Sequence, residues 1–143
     1  MTTSPLADVS LNLVESVSDA MRLKRWLGER REGLLCVDTE SGGLSPWRSR
    51  LRMVQFGDMR TGWAVPWERW GGVALEILNS WEGEWGAHNG VHDYKFLSVH
   101  GGYDLPWERG HDTLTQARID DPSRPNGLKP RAAADVDKRA TQG

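Results

Sequence analysis

The stretch Gly33-Leu34-Leu35-Cys36-Val37 runs straight into Asp38-Thr39-Glu40, and Ser41-Gly42-Gly43 then breaks it. A continuous apolar run of this length, bounded by glycine and charge, predicts a strand buried on both faces. Such a strand needs a sheet around it and helices against it, so this segment constrains the rest of the chain. The residues after it agree. Leu51, Met53, Gln55 and Gly57 alternate with Arg52, Val54, Phe56 and Asp58, and 59–62 turns the chain into Trp63-Ala64-Val65. The segment 51–65 therefore reads as a hairpin. Val73, Leu75, Ile77, Leu78 and Trp81 have helical spacing, and 85–89 is a short strand running into a loop. Val91, Tyr94, Lys95, Leu97 and Ser98 belong to another helix, ended by Gly101-Gly102.

Upstream, 12–15 reads as a short strand, and Ser18-Asp19 reads as the start of a helix through Ala20, Leu23, Trp26 and Leu27 to Gly28. Downstream, 112–119 is a further short element, and Pro122, Pro125, Asn126 and Gly127 form a loop. The segment 128–139 is Ala-rich and helical. The expectation is a mixed α/β sheet flanked by helices, with an N-terminal segment over 1–33 and the main domain over 34–143. At 143 residues the chain has room for one domain.

Composition removes several function classes. With 18 Lys+Arg against 20 Asp+Glu, the chain lacks the basic excess of a histone-like or tail-type nucleic-acid binder. A single cysteine, Cys36, excludes an internal disulfide framework and a Cys-based zinc site. Its place in the apolar run predicts a buried, inert thiol. No apolar run approaches the ~20 residues of a membrane helix, and the N-terminus lacks the basic-then-apolar order of a secretory signal. The expectation is a cytoplasmic protein with no membrane partner.

Asp38 and Glu40 stand two apart on a predicted strand, so their side chains share a face. Two carboxylates there repel unless a cation neutralises them, and hard oxygen donors suit magnesium or manganese. The plain alternative is a solvated strand end. In His88-Asn89-Gly90-Val91-His92-Asp93, a strand delivers Asn89 to a loop, and Asp93 falls in the first turn of a helix. A carboxylate is stabilised there by the helix dipole, with or without a metal. His88 and His92 lie four apart, but no Glu follows His88 and no third ligand is evident, so zinc is not expected. The chain has no Gly-x-Ser-x-Gly and no phosphate-binding Gly-x-x-x-x-Gly-Lys.

Val37-Asp38-Thr39-Glu40, a hairpin, then His88-Asn89 with Asp93 four residues after the Asn, resembles the DnaQ-like (DEDD) 3′–5′ exonuclease fold. More closely, it is similar to the proofreading domain of family A (polymerase I type) DNA polymerases of actinobacteria and their phages. Asp112-Thr113-Leu114, Asp121-Pro122 and Gly127-Leu128-Lys129-Pro130 resemble the next part of that domain. The resemblance implies a ribonuclease H-like sheet and two magnesium or manganese ions held by four carboxylates. It implies that Asp38, Glu40 and Asp93 are the first three of these, catalytic and metal-ligating. It places Leu44 against a terminal base, Asn89 at the substrate or scaffold, and the Thr39 main chain near the 3′ end. Asp112 is implied to be structural.

Two departures from that pattern stand out. His92 occupies the place of a Phe or Tyr before the third acid. The fourth acid, preceded four residues earlier by Tyr or His, is expected beyond the Leu-Lys-Pro stretch, and Asp137 has Ala133 in that place. The reading is therefore of a domain incomplete at its C-terminus, with a weakened second metal position. A sheet face that the missing helix would cover is expected to be left open.

Backbone phosphates would be met by Arg48, Arg50 and Arg52, or by Lys129, Arg131, Lys138 and Arg139, although most of these also fit a solvated polar face. Trp47 follows Leu44 in the same loop and is the candidate for stacking on a base. The other seven of the 8 Trp are expected in structural roles. Pro66–Arg69 and Pro106–Arg109 share Pro-Trp-Glu-Arg and read as similar strand exits. The function expected is metal-dependent 3′–5′ exonucleolytic cleavage of DNA, acting on a single-stranded 3′ end, with a separately encoded polymerase as partner. The alternatives are a truncated domain that binds nucleic acid or a polymerase without cutting, and an RNA-trimming relative of the RNase D type.

Overall fold

The computed structural model describes residues 8–30 and 33–136. Its centre is β2 (Leu34–Ser41), whose exposure alternates strictly: Leu35, Val37 and Thr39 are buried, while Leu34, Cys36, Asp38 and Glu40 are exposed. The expected strand buried on both faces is thus covered on one. The unbroken apolar run reflects a covered face built from Leu35 and Val37 and an open face that carries Leu34 and Cys36. Cys36 is accordingly exposed, not buried. Partial burial, and then the nearby Asp58 carboxylate, push its thiol up, which keeps it protonated.

β3 (Leu51–Gly57) and β4 (Thr61–Pro66) form the expected hairpin. β3 pairs antiparallel with β2, and the register shifts between Glu40 and Ser41. β5 (Glu84–Ala87) lies parallel to β2 on its other side, and β6 (Gly110–Asp112) parallel to β5. β1 is Ser10–Leu13, two residues earlier than expected, and lies parallel to β4 at the far edge. The order β1-β4-β3-β2-β5-β6 makes a mixed sheet whose two edge strands are short, four and three residues. Short edges offer little template for further pairing.

α1 (Val17–Gly28) begins one residue before Ser18, because Ser16 is its cap. The Asp19 amide donates to Ser16 Oγ at 3.2 Å, and Asp19 Oδ2 accepts the Ser16 N–H at 3.0 Å. This reciprocal box satisfies two helix-start donors. α2 runs Trp67–Ser80 and α3 Gly90–Gly101. α2 packs on β3 and β4, α3 on β2 and β3. Trp26 of α1 meets Trp63 of β4 with ring centroids 6.4 Å apart. Trp63 pairs with Phe56, and Phe56 with Val37, so all three helices cover the same face. The core between them includes Leu23, Val54, Phe56, Val65, Phe96 and Leu97.

α4 (Thr113–Asp120) and α5 (Leu128–Asp135) bury no residue. The opposite face of the sheet is a groove of ≈ 950 Å³ whose lining includes Leu11, Leu34, Cys36, Asp38, Gly86 and His88. Leu11 is 82% exposed there. Asp137, Lys138 and Arg139 lie outside the described residues.

The tryptophans are mostly structural. Trp26, Trp63 and Trp85 are buried, and Trp67, Trp70 and Trp81 pack against the core. The two Pro-Trp-Glu-Arg segments differ: Pro66 caps α2 after β4, whereas Trp107–Arg109 is a single 3-10 turn leading into β6. That second turn is anchored by Trp85, whose indole N–H donates to the Pro106 carbonyl at 2.9 Å. Gly110 lies flat against the Trp85 ring, and a methyl group there would collide with it. Gly110→Ala is therefore expected to destabilise the fold by about 1–3 kcal/mol, read as a lower urea midpoint with an unchanged slope.

Candidate active site

Strand periodicity puts Asp38 and Glu40 together on the open face of β2, near its carboxyl end. Neither has a salt-bridge partner among the described residues. Burial, and then the Glu40 charge, push the Asp38 carboxyl above its usual range, while the Thr39 amide, His92 and His88 oppose the shift.

Asp93 sits in the first turn of α3, on the covered side of the sheet, and is 6% exposed. Its Oδ1 accepts the Thr39 N–H at 2.9 Å and the Thr39 hydroxyl at 2.7 Å. It also borders a small apolar cavity lined by Leu35, Val37, Trp85 and Leu97. Burial therefore pushes its carboxyl up to about 6; the Thr39 hydroxyl works against this, and the Asp38 charge adds to it. Asp93 is thus tied to the strand that carries the other two acids and senses Asp38. Among the described residues, no three His, Cys, Asp or Glu side chains are gathered closely enough to hold a metal ion as they stand. The donors themselves are hard carboxylates without a cation, a set that fits magnesium or manganese.

Thr39 turns its side chain to the covered face, with its N–H engaged by Asp93. Asn89 adopts a left-handed conformation (φ 65°), the one non-glycine residue with positive φ among those described. Asn and Gly tolerate this region best. The kink turns the chain from β5 into α3 and lets Asp112 accept the Asn89 and Gly90 N–H groups at 3.0 and 2.8 Å. Asp112 also caps α4 through the Leu114 N–H at 2.9 Å. Burial raises its carboxyl, but the amides of Asn89, Gly90, Thr115 and Leu114 together outweigh that and lower it. Asp112 is structural, joining two helix starts.

Leu44 and Trp47 project from the loop between β2 and β3, 88% and 76% exposed. Arg48, Arg50 and Arg52 lie in the same loop and at the start of β3. Arg131, by contrast, is spent on the Asn126 side chain and the Ala117 carbonyl.

Two histidine contacts escape a reading of the sequence. His100 Nε2 lies 2.9 and 3.0 Å from the carbonyls of Pro46 and Ser49, fastening the loop to α3. His88 Nδ1 lies 2.9 Å from Thr113 Oγ1. These partners are 51–54 and 25 residues away in sequence, and no local pattern signals them.

No protein-family model matches the chain, and no curated protein matches its sequence. Solved structures do match its fold. The catalytic core of RRP6 from Trypanosoma brucei superposes with a TM-score of 0.70 at 16% identity, covering 96% of this chain and 39% of that one. NrnC of Brucella melitensis bound to pGG gives 0.66 at 19% identity, covering 90% and 61%. Escherichia coli RNase D, an exoribonuclease involved in structured RNA processing, gives 0.62 at 18%, covering 85% and 32%. The chain thus spans less than two thirds of the length of these structures. Its fold is the ribonuclease H-like fold of DEDD exonucleases. None of these three structures is a polymerase proofreading domain, the finer resemblance expected from the sequence.

The buried Asp93 makes stability depend on pH. Its folded pKa of about 6 exceeds the ordinary 3.8, so its contribution is most favourable below pH 3.8 and is lost as pH rises to about 6. Between pH 7 and pH 5, in EDTA, the unfolding free energy should rise about 1 kcal/mol more in the wild type than in Asp93→Asn. Equal pH slopes for the two proteins would contradict this placement of the carboxylate.

Proposed function

We propose that the chain hydrolyses the terminal phosphodiester bond at the 3′ end of single-stranded nucleic acid, using a divalent cation held by Asp38 and Glu40, with the third acid, Asp93, set behind them. The observation that carries this reading is the pair of unpaired carboxylates on the open face of the central strand, with Asp93 bonded to Thr39 between them. A magnesium or manganese ion there would offset the charge that builds on the phosphate oxygens and on the attacking and leaving oxygens. Asp38 and Glu40 hold it from the open face. Asp93 keeps β2 and α3 in register and adds negative charge behind Asp38.

The chemistry balances simply. The oxygen of water forms a bond to the terminal phosphorus, and the bond from that phosphorus to the 3′ oxygen breaks. One water proton goes to solvent and the departing oxygen takes one up, giving a nucleoside 5′-monophosphate and a chain one nucleotide shorter. Leu44 and Trp47 offer an apolar, stackable surface for the terminal bases, and Arg48, Arg50 and Arg52 serve the backbone phosphates. Asn89 shapes the turn beside the acids.

The stretch Gly127-Leu128-Lys129-Pro130 supports DNA as substrate and a separately encoded polymerase as partner. The likeness to the exoribonuclease RNase D supports RNA. Among the described residues no helix is long and apolar enough to cross a membrane.

The test uses 5′-labelled single-stranded DNA and RNA with magnesium or manganese. The expected result is a ladder growing from the 3′ end, abolished by EDTA and by Asp38→Ala. Retained binding with no cleavage at high protein would instead identify a binding domain. Trp47→Ala should weaken single-strand binding by about 1–3 kcal/mol, seen as a raised KM with kcat largely kept.

A further inference from the structure

The loop that carries Leu44 and Trp47 is fastened to α3 by one imidazole. Residues 42–50 join Ser41, the end of β2, to Leu51, the start of β3. Leu44 and Trp47 are exposed, so burial of these side chains does not fix the loop. Its own bonds shape a turn. The Arg48 and Ser49 N–H groups donate to the Ser45 carbonyl at 3.2 and 2.9 Å, and the Gly42 N–H donates to the Arg50 carbonyl at 3.0 Å. The link to a distant element is His100, in the last turn of α3. Its Nε2 lies 2.9 Å from the Pro46 carbonyl and 3.0 Å from that of Ser49. Both partners are carbonyl oxygens, which only accept. Nε2 therefore carries the hydrogen and shares it between them, whether or not Nδ1 is also protonated.

Those two carbonyls bracket Trp47 and Arg48. Bonding both closes the turn across its ends, so Trp47 projects from a segment whose backbone is tied on each side. The anchor is itself fixed. The His100 ring lies parallel to that of Phe96, with 4° between the planes and centroids 5.9 Å apart, and Phe96 is fully buried. Pro46 is buried as well, while Trp47 and Arg48 beside it are exposed. A side chain held out from a fixed backbone loses less freedom when a base stacks on it than one on a loose loop. The smaller entropy loss appears as affinity.

We propose that His100 is a positioning residue for the nucleic-acid strand: by holding the Pro46 and Ser49 carbonyls it presents Trp47 as a fixed stacking surface for a base near the 3′ end, and it acts on binding through Trp47. The inference rests on reading Trp47 as the group on which a base stacks. Asp93 stands in the first turn of α3 and His100 in its last. One helix thus serves the site at both ends, bonded to the strand of the acids at one and to the loop that meets the bases at the other.

Binding of a short 5′-fluorescein-labelled single strand, as DNA and as RNA, is followed by anisotropy in EDTA, where no cleavage competes. His100→Phe keeps the ring on Phe96 and removes the donor; His100→Ala removes both, and either serves if the other does not fold. Each should bind about 3–10-fold more weakly than the wild type. His100→Gln keeps an N–H donor and should stay within about twofold of the wild type. With Trp47→Ala already present, changing His100 should alter affinity by less than about twofold. Fluorine NMR of the full chain labelled with fluorotryptophan reads the loop without nucleic acid. The Trp47 resonance, assigned by its loss in Trp47→Phe, should shift or broaden in His100→Phe, while those of the buried Trp26, Trp63 and Trp85 stay in place. An unmoved Trp47 resonance, or the same loss of affinity with and without Trp47, overturns the proposal. A moved resonance with Trp47→Ala binding as tightly as the wild type overturns the stacking role of Trp47, and the proposal falls with it. If the wild type binds neither strand, the nucleic-acid reading itself fails and takes the proposal with it.

Discussion

Asp93 holds the central strand to the helix behind it. β5 ends at Ala87, and the chain turns away at Asn89, so past that point the Thr39 N–H has no strand beside it. A buried N–H must find a partner, and Asp93 takes both that group and the Thr39 hydroxyl. This pins Thr39 to the covered face. Because side chains alternate with a period of two, the same bonds pin Asp38 and Glu40 to the open one. A slip of one residue in β2 would bury both acids and expose Thr39. The placement of the candidate site therefore follows from a contact made on the opposite side of the sheet.

Part of this was legible in the sequence. The hairpin over 51–65 could be read because alternation and a turn are local signals, and the shared face of Asp38 and Glu40 needed only the strand period. The α/β class followed from the order of elements. What could not be read depended on distant partners. The one-sided burial of β2 was hidden because Leu34 and Cys36, on the open face, are as apolar as the covered Leu35 and Val37. The start of α1 moved because Ser16, not Ser18, sits three residues before Asp19 and so completes the reciprocal cap. β1 was displaced because its partner is β4. The contact of His88 with Thr113 lies beyond any window around residue 88.

The open face gives the fold its asymmetry. Three helices close one side of the sheet, while α4 and α5 bury no residue. Asp38, Cys36 and the apolar floor all lie in this groove. Charge and exposed apolar surface share one side of the sheet, with Asp38 beside Leu11 and Leu34 in one groove. Among the neighbours in fold, RNase D is an exoribonuclease of structured RNA, and both it and the RRP6 core are longer chains, with elements beyond the part that matches.

The connectivity of the sheet also has a consequence for how the chain is made. β2, β3 and β4 are joined by short turns, so their pairing closes small loops. β1 pairs with β4 across about fifty residues, and β2 with β5 likewise. Local pairs form soonest, because little chain entropy is lost in closing them. The strand bearing Asp38 and Glu40 thus belongs to the part of the sheet that a growing polypeptide can assemble as soon as the meander leaves the ribosome. Asp93 arrives later, on a helix made after that meander, and locks in place a register the nascent sheet has already chosen.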